Sequence, residues 1–455
     1  MREQLYQEID TRAADFGALS DAIWDYAETA FEETKSAKLL ADFLEAEGFT
    51  VTRGVANIAT AFTATYGTEG THIGILGEYD ALADLDQESM NPHKSEPTGK
   101  PGQGCGHNLL GVGALAAACA VKKYLAEGHP GRVTYFGCPA EEGGSGKTFM
   151  ARDGVFDDLD AALTWHPAGD NTVSYGSSLA NYQVVYRFRG VAAHAAGDPH
   201  LGRSALDAVE LMNVGVQFLR EHIPTTARVH YAITDTGGYS PNVVQPTASV
   251  LYLIRMPQVT DLPELYARVN DIAKGAALMT GTTEEHEFIK ACSNLVANTP
   301  LAQRIHDNIE SLMPMEYSEE ELAFANELRK SLPNAKPGDP FATTVAPLPA
   351  QEGAGSGSTD VGDVSWVCPT GYFYIATNPK DVPGHSWQKT ACGKSSFAKR
   401  GMLLAAKVIA ATAVDLYEDP ALLEAAKEDL KRRTGGKYEC PIPQGVKPRI
   451  ISQIK

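Results

Sequence analysis

The sequence predicts an α/β protein interrupted by a smaller α+β block. Three observations carry that reading. Short apolar runs such as His72-Ile-Gly-Ile-Leu-Gly77 and Arg132-Val-Thr-Tyr-Phe-Gly137 alternate with stretches of helical periodicity, as in strands linked through helices. After Asn181 the pattern becomes strand, helix, strand, strand, helix. At 455 residues the chain also exceeds the usual size of a single core, so two domains are expected.

From Leu5 to Glu47 apolar residues including Leu19, Ile23, Phe31, Leu40 and Phe43 recur at helical spacing, and Gly48 acts as a stop. Two helices are predicted there. Thr50 to Thr65 alternates in the manner of a hairpin. The run ending at Gly77 feeds Glu78-Tyr79-Asp80, so Asp80 falls at the carboxyl end of a strand, where open α/β sheets bind ligands. A polar, Pro- and Gly-rich loop follows from Asp84 to Gln103, long enough to suggest a functional role. Leu110 to Leu125 is apolar enough for a buried helix. The run from Arg132 leads to Glu141 and Glu142, and Ala161-Ala-Leu-Thr-Trp165 leads to His166.

The block from 182 to 293 comprises a strand at Tyr182–Gly190, a helix at Ser204–Phe218, strands at Arg228–Thr234 and Ala248–Arg255, and a helix at Leu262–Met279. It closes near Phe288 to Cys292. Residues 1–181 and 294–455 then form one discontinuous domain around it. Within the latter segment, Pro300 to Leu332 is predicted helical, Asn334 to Gly357 a loop, and Ser358 to Asp363 the start of a short element. Gly371–Ala376 is a strand with His385 in the loop beyond it, and Ser396–Tyr417 is a long helix.

Composition excludes several functions. The formal charge is −18, with 57 acidic and 39 basic residues, and no stretch concentrates Lys and Arg as a phosphate-tracking surface would require. Nucleic acid is not an expected partner. The seven cysteines lack CxxC pairing and the first residues lack an apolar leader, which predicts a cytoplasmic protein. Leu109 to Val121, 13 residues ending at Lys122-Lys123, is too short to span a bilayer, so no membrane association is expected.

Chemistry gathers around Gly104-Cys105-Gly106-His107. A divalent ion of borderline softness accepts thiolate, imidazole and carboxylate together, and Cys105, His107, Glu142, His166 and His385 offer that set. Five ligands exceed one tetrahedral ion. They fit two ions about 3.5–4 Å apart sharing Cys105, with His107 and Glu142 on one and His166 and His385 on the other. Glu141 is then a spare carboxylate able to carry a proton, because neighbours at a strand end point opposite ways. The implied reaction is amide hydrolysis. Singly, a buried cysteine or a Glu-Glu pair would be structurally ordinary, and the remaining histidines are left unassigned. Ser358-Thr359-Asp360 lacks the Gly-x-Ser-x-Gly elbow of a serine hydrolase. Gly143-Gly-Ser-Gly-Lys147-Thr148 looks like the end of a phosphate loop, but Glu141 stands where its first glycine belongs.

Glu78-Tyr-Asp80-Ala-Leu, Gly104-Cys-Gly-His107-Asn, Pro139-Ala-Glu141-Glu142-Gly, Trp165-His166-Pro, Ala193-His194-Ala and Pro383-Gly-His385 resemble the dinuclear metallopeptidase family of aminoacylases, G-type carboxypeptidases and auxin-conjugate hydrolases. The resemblance covers nearly the whole chain. It implies a catalytic α/β domain with a mixed central sheet, plus an inserted α+β lid that makes a homodimer. It further implies two divalent ions per chain, zinc or manganese, and a small N-acyl amino acid as substrate. Glu141 would be the general acid/base, and Asp80 would hold a ligating imidazole. His194 would stabilise the oxyanion in the partner's site, while Asn242 and Arg255 would bind the substrate carboxylate. Further strings, among them His200-Leu-Gly-Arg-Ser-Ala-Leu-Asp207 and Ser358 to Trp366, are similar to B-type subunits within that family, so a sister A-type subunit is expected. Another peptidase or aminoacylase activity, or a catalytically silent subunit, are the alternatives. At the position of Glu78 many members of that family have a metal-binding histidine, and this chain departs from them there.

Overall fold

Four parallel strands, His72–Glu78, Gly131–Cys138, Ala161–Ala168 and Thr370–Ala376, form the middle of a seven-stranded mixed sheet in the computed structural model, which describes residues 2–450 and 453. From edge to edge the order is Thr50–Arg53, Phe62–Glu69, Gly131–Cys138, His72–Glu78, Ala161–Ala168, Thr370–Ala376 and Thr172–Val173. The first two and the last run antiparallel to their neighbours. His72–Glu78 is buried throughout, as expected of a parallel strand covered on both faces. Register aligns Glu78 with Cys138 and His166 with Tyr374, so the strands' carboxyl ends lie level with one another.

Helix His107–Ala126 packs on these strands and on helix Ser396–Glu418. Its glycines permit that approach: a Cβ on Gly113 would lie 2.9 Å from the Trp165 ring, and one on Gly111 would lie 2.5 Å from the Glu78 carbonyl. Trp165 Nε1 and Tyr135 Oη donate to the carbonyls of Leu110 and Gly111, both at 3.1 Å, fixing the helix's position on the sheet. By length and composition this helix could cross a membrane, but 83% of its most apolar window is buried within the protein.

The chain divides into two units. One comprises Met1–Gly176, Val296–Gly353 and Asp363–Glu439; the other comprises Ser177–Leu295, Ala354–Gly362 and Cys440–Lys455. The second unit is therefore wider than residues 182–293. Arg255 Nη1 donates to Ser358 Oγ at 2.9 Å, and a Cβ on Gly362 would lie 2.1 Å from the Ser293 carbonyl, which ties 354–362 to this unit. The second unit has its own antiparallel sheet, ordered Thr283–Cys292, Ala180–Arg189, Thr247–Met256 and Arg228–Asp235. Helices Ala205–Leu219 and Leu262–Thr280 pack on it. Tyr252 and Tyr186 reach from the sheet to Asn213 and Asn270 on the two helices, each at 2.6 Å.

Several elements differ from expectation. The amino-terminal region holds three helices, Arg2–Thr11, Ala13–Tyr26 and Thr34–Ala46, the first two separated by Arg12 alone. Pro300–Leu332 is two helices, Thr299–Glu310 and Glu319–Arg329, the second opened by a capping box between Ser318 and Glu321. A further helix, Pro420–Thr434, is capped by the Asp419 side chain. The hairpin of Thr50–Arg53 with Phe62–Glu69 and the carboxyl-terminal strand and long helix agree with the sequence pattern.

Candidate metal centre

Within the first unit, the carboxyl ends of the four parallel strands deliver one set of side chains to one place. Gly106 has φ 85°, a left-handed conformation, and a Cβ there would stand 3.1 Å from Pro167. This glycine lets the chain turn so that Cys105 and His107 both face inward as the helix begins. His385 also has positive φ, and its backbone N–H donates to the Gly104 carbonyl at 2.9 Å.

Three groups of donors have their ligating atoms within 4.8 Å of one another: Cys105, His107 and His166; Cys105, Glu142 and His385; and Glu78, His107 and Glu141. Cys105 belongs to the first two. The pairing of histidines differs from that expected from sequence, since His107 groups with His166 and Glu142 with His385. Glu141 and Glu142 also lie in a turn beyond Cys138, so alternation along a strand does not explain their directions.

The Nδ1 atoms of two rings are each held by an oxygen. His107 Nδ1 faces Asp80 Oδ1 at 2.9 Å, and His166 Nδ1 faces the Pro167 carbonyl at 2.8 Å. A carbonyl only accepts, so His166 Nδ1 carries the proton and its Nε2, 3.3 Å from Cys105 Sγ, is available as a donor atom. The other oxygen of Asp80 accepts the Glu142 backbone N–H at 2.9 Å. One carboxylate thereby fixes an imidazole and the backbone of a second ligand, the arrangement that orients metal ligands.

Three buried atoms in this cluster lack hydrogen-bond partners: His107 Nε2, Glu78 Oε2 and Glu142 Oε1. The two carboxylate oxygens lie 3.3 Å and 3.8 Å from His107 Nε2. Convergent, unsatisfied lone pairs are costly when buried. Together with the thiol and imidazoles, they make a donor set fitted to divalent metal ions.

The electrostatics agree. Burial pushes the Cys105 thiol up, but the nearby His166 and His107 rings outweigh it and hold its pKa well below the ordinary value. Burial opposes the charged His107 ring, while Cys105 and Asp80 raise its pKa well above the usual range. Burial and then the Cys105 charge push Glu142 up to about 7, and hydrogen bonds to Cys105 and Glu142 raise His385 to about 10.

Residues not singled out by sequence also shape the centre. Glu33, fully buried, accepts the N–H groups of Ala140 and Phe31 through one oxygen, at 2.8 and 3.0 Å. Burial and the Asp80 charge raise it to about 8. Lys389 donates to the Pro167 carbonyl at 2.7 Å beside His166, and Lys147 pairs with Glu78 at 2.7 Å. Glu33 stands in an acidic inter-helical stretch that reads as solvated surface, so its sequence carries no signal of this role.

The remaining expected residues lie on the second unit. His194 is exposed, and its Nδ1 accepts the N–H groups of Ala196 and Gly197 at 3.2 and 3.0 Å, leaving the ring proton on Nε2. Asn242 is beside it, its carbonyl accepting the Ala195 N–H at 2.9 Å. Arg255 is half-buried, with Nε unsatisfied and no ion pair among the described residues; burial lowers its pKa.

Comparison with known proteins gives a consistent set of similarities. Residues 74–325 match peptidase family M20/M25/M40. The chain is 49% identical to the B-type subunit of p-aminobenzoyl-glutamate hydrolase from Escherichia coli (strain K12), over 94% of this chain and 95% of that protein. It is 32% identical to the Xaa-Arg dipeptidase of Mus musculus, over 95% and 92% respectively. A crystal structure of the aminobenzoyl-glutamate utilization protein from Klebsiella pneumoniae superposes with TM-score 0.64 at 19% identity, covering 90% of this chain and 98% of that one, which is similarity of fold.

Proposed function

The chain belongs to peptidase family M20/M25/M40, a metal-dependent amide hydrolase family, and from that premise we propose that it cleaves p-aminobenzoyl-glutamate to p-aminobenzoate and glutamate. The observation that carries the chemistry is the Cys105-centred donor set with Glu141 beside it. Identity with the Escherichia coli protein supports the substrate. A dipeptide or another N-acyl amino acid is the second reading, favoured by the identity with the Xaa-Arg dipeptidase.

Two divalent ions, zinc or manganese, would be held by Cys105, His107, Glu142, His166 and His385, with Cys105 between them. When bound, such ions polarise a carbonyl and acidify water. Glu141 takes the proton of the attacking water and returns it to the departing amine. Asp80 keeps the His107 proton on Nδ1, so that Nε2 presents a lone pair. His194, with its proton on Nε2, suits donation to a developing oxyanion. Arg255, a cation without an acidic partner among the described residues, suits the substrate carboxylate, and Asn242 adds an amide.

The second unit acts as a lid and dimerises. Supporting this are exposed apolar side chains on it: Val214 and Phe218 on one helix, Leu278 and Met279 on the other. The protein is assigned to the cytoplasm, in keeping with the absence of disulfides among the described residues. A sister A-type chain is the expected partner, because the 49%-identical relative is named as one of a hydrolase's subunits. The test is release of p-aminobenzoate by the metal-loaded chain, alone and with the sister chain, against a panel of N-acyl amino acids and dipeptides. No hydrolysis of any of them in either format would overturn the reading.

A further inference from the structure

Two cations meet on one face of the second unit's sheet, and the scheme above uses only one of them. Arg255 is paired across the sheet with Asn181, and Asn181 is paired on its other side with Cys292. The Asn181 amide spans that face: its Nδ2 donates to Cys292 Sγ at 2.9 Å, and its Oδ1 accepts from Lys290 Nζ at 3.2 Å. Lys290 therefore reaches from its own strand to the middle one, and its ammonium stands over the residue opposite Arg255. Lys290 is 9% exposed and has no ion pair among the described residues. Asn181 takes one of its three N–H donors, and Arg255 keeps its Nε unsatisfied. Glu287, farther along the strand Thr283–Cys292, is already engaged by Arg187 at 2.9 Å and by Arg449. The positive field is felt at His230 on the neighbouring strand, where burial lowers the pKa and the charges of Arg255, Arg220 and Arg228 lower it further. Burying an unpaired charge is costly. A buried and a half-buried cation left without an acid are suited to negative charge arriving from outside the chain.

We infer that Lys290 is a specificity-determining residue: its ammonium takes the side-chain carboxylate of a substrate that ends in an acidic amino acid, while Arg255 takes the main-chain carboxylate. This rests on the reading of Arg255 as the group that binds the substrate carboxylate. Asn181 is the positioning residue, since its amide holds the ammonium beside Arg255 without neutralising it. A substrate with one carboxylate leaves the Lys290 charge buried and unanswered, and a site built for a polar group rejects an analogue that lacks it. Charge-assisted hydrogen bonds set that discrimination at about 10–100-fold. A lysine or arginine at the end of the substrate brings a like charge to the same place, so basic dipeptides are the poorest substrates. The inference thus decides between the two readings of the substrate, in favour of an acyl group on glutamate or aspartate.

The experiment measures kcat and KM of the metal-loaded full-length chain, alone and with its sister chain, for p-aminobenzoyl-glutamate and for the neutral isostere p-aminobenzoyl-glutamine. Wild type is compared with Lys290→Met, which removes the charge, with Lys290→Arg, which restores it, and with Asn181→Asp, which gives Lys290 an acidic partner of its own. Wild type should favour the glutamate conjugate in kcat/KM by about tenfold or more. Lys290→Met and Asn181→Asp should each lose most of that preference, chiefly through a higher KM for the glutamate conjugate, and Lys290→Arg should keep most of it. Circular dichroism identifies any variant that fails to fold, and the other then decides. Wild type cleaving both conjugates equally well, or folded variants that keep its preference, would overturn the role of Lys290 and leave the proposed hydrolysis standing. Hydrolysis of neither conjugate in either format would overturn the proposed substrate, and this inference with it.

Discussion

His385 and Gly104 are joined backbone to backbone at 2.9 Å, tying the proposed ligand that arrives latest in the chain to the residue preceding Cys105. Asp80 makes the corresponding link on the other side of the cluster, from His107 to the Glu142 amide. The donors are thus held by neighbours as well as by their own strands.

Asp80→Asn should therefore weaken metal binding. An asparagine has a single acceptor oxygen, while both His107 Nδ1 and the Glu142 N–H require one. Calorimetric titration should register a loss of about 10–100-fold in affinity. Unchanged affinity would mean that the ligands are oriented by other contacts.

Glu141→Gln should separate binding from chemistry. Removing the proton carrier is expected to lower kcat by about 10²–10⁴-fold, while elemental analysis still finds two ions per chain. Activity near that of wild type would remove Glu141 from its role.

The surface of the second unit predicts assembly. Phe218 is 71% exposed and Leu278 84%, and exposed large apolar side chains on one unit are a feature of interaction sites. Phe218→Glu combined with Leu278→Glu should convert a dimer to a monomer in light scattering, with little change in the melting of each chain. A persistent dimer would place the interface elsewhere.

Glu33 predicts a pH dependence. Its pKa is raised from 4.5 to about 8, so the folded chain retains a proton that the unfolded chain releases. Its contribution to stability is full below about 4.5 and is lost as pH rises through about 8. In Glu33→Gln the amide oxygen can still accept the Ala140 and Phe31 N–H groups, so stability relative to wild type should rise across that window and level off above it. Denaturant unfolding of both metal-free proteins at several pH values tests this, and a constant difference would refute it.

Part of the candidate centre was legible because Glu141, Glu142 and His166 lie at or just beyond short apolar runs. His166 is on the strand Ala161–Ala168, and Asp80 is two positions past Glu78. The grouping of ligands was not legible, since Cys105, His166 and His385 meet only through the register of parallel strands and the Gly104 contact. Glu33 and Lys147 were hidden for a related reason, as their partners Ala140 and Glu78 are remote in sequence. The resemblance supplied the roles proposed for His194, Asn242 and Arg255, which spacing alone leaves as ordinary loop and strand residues. The extent of the second unit was missed because 354–362 joins it through contacts such as Ser358 with Arg255.

The order in which the donors occur along the chain has a consequence for biosynthesis. Cys105, His107, Glu142 and His166 emerge from the ribosome before the second unit, whereas His385 follows the strand Thr370–Ala376 that pairs with Ala161–Ala168. A truncated translation product ending before that strand would possess most of the donors yet have no completed centre. Such a product would carry four of the five proposed donors without His385 and without the strand that stands beside Ala161–Ala168.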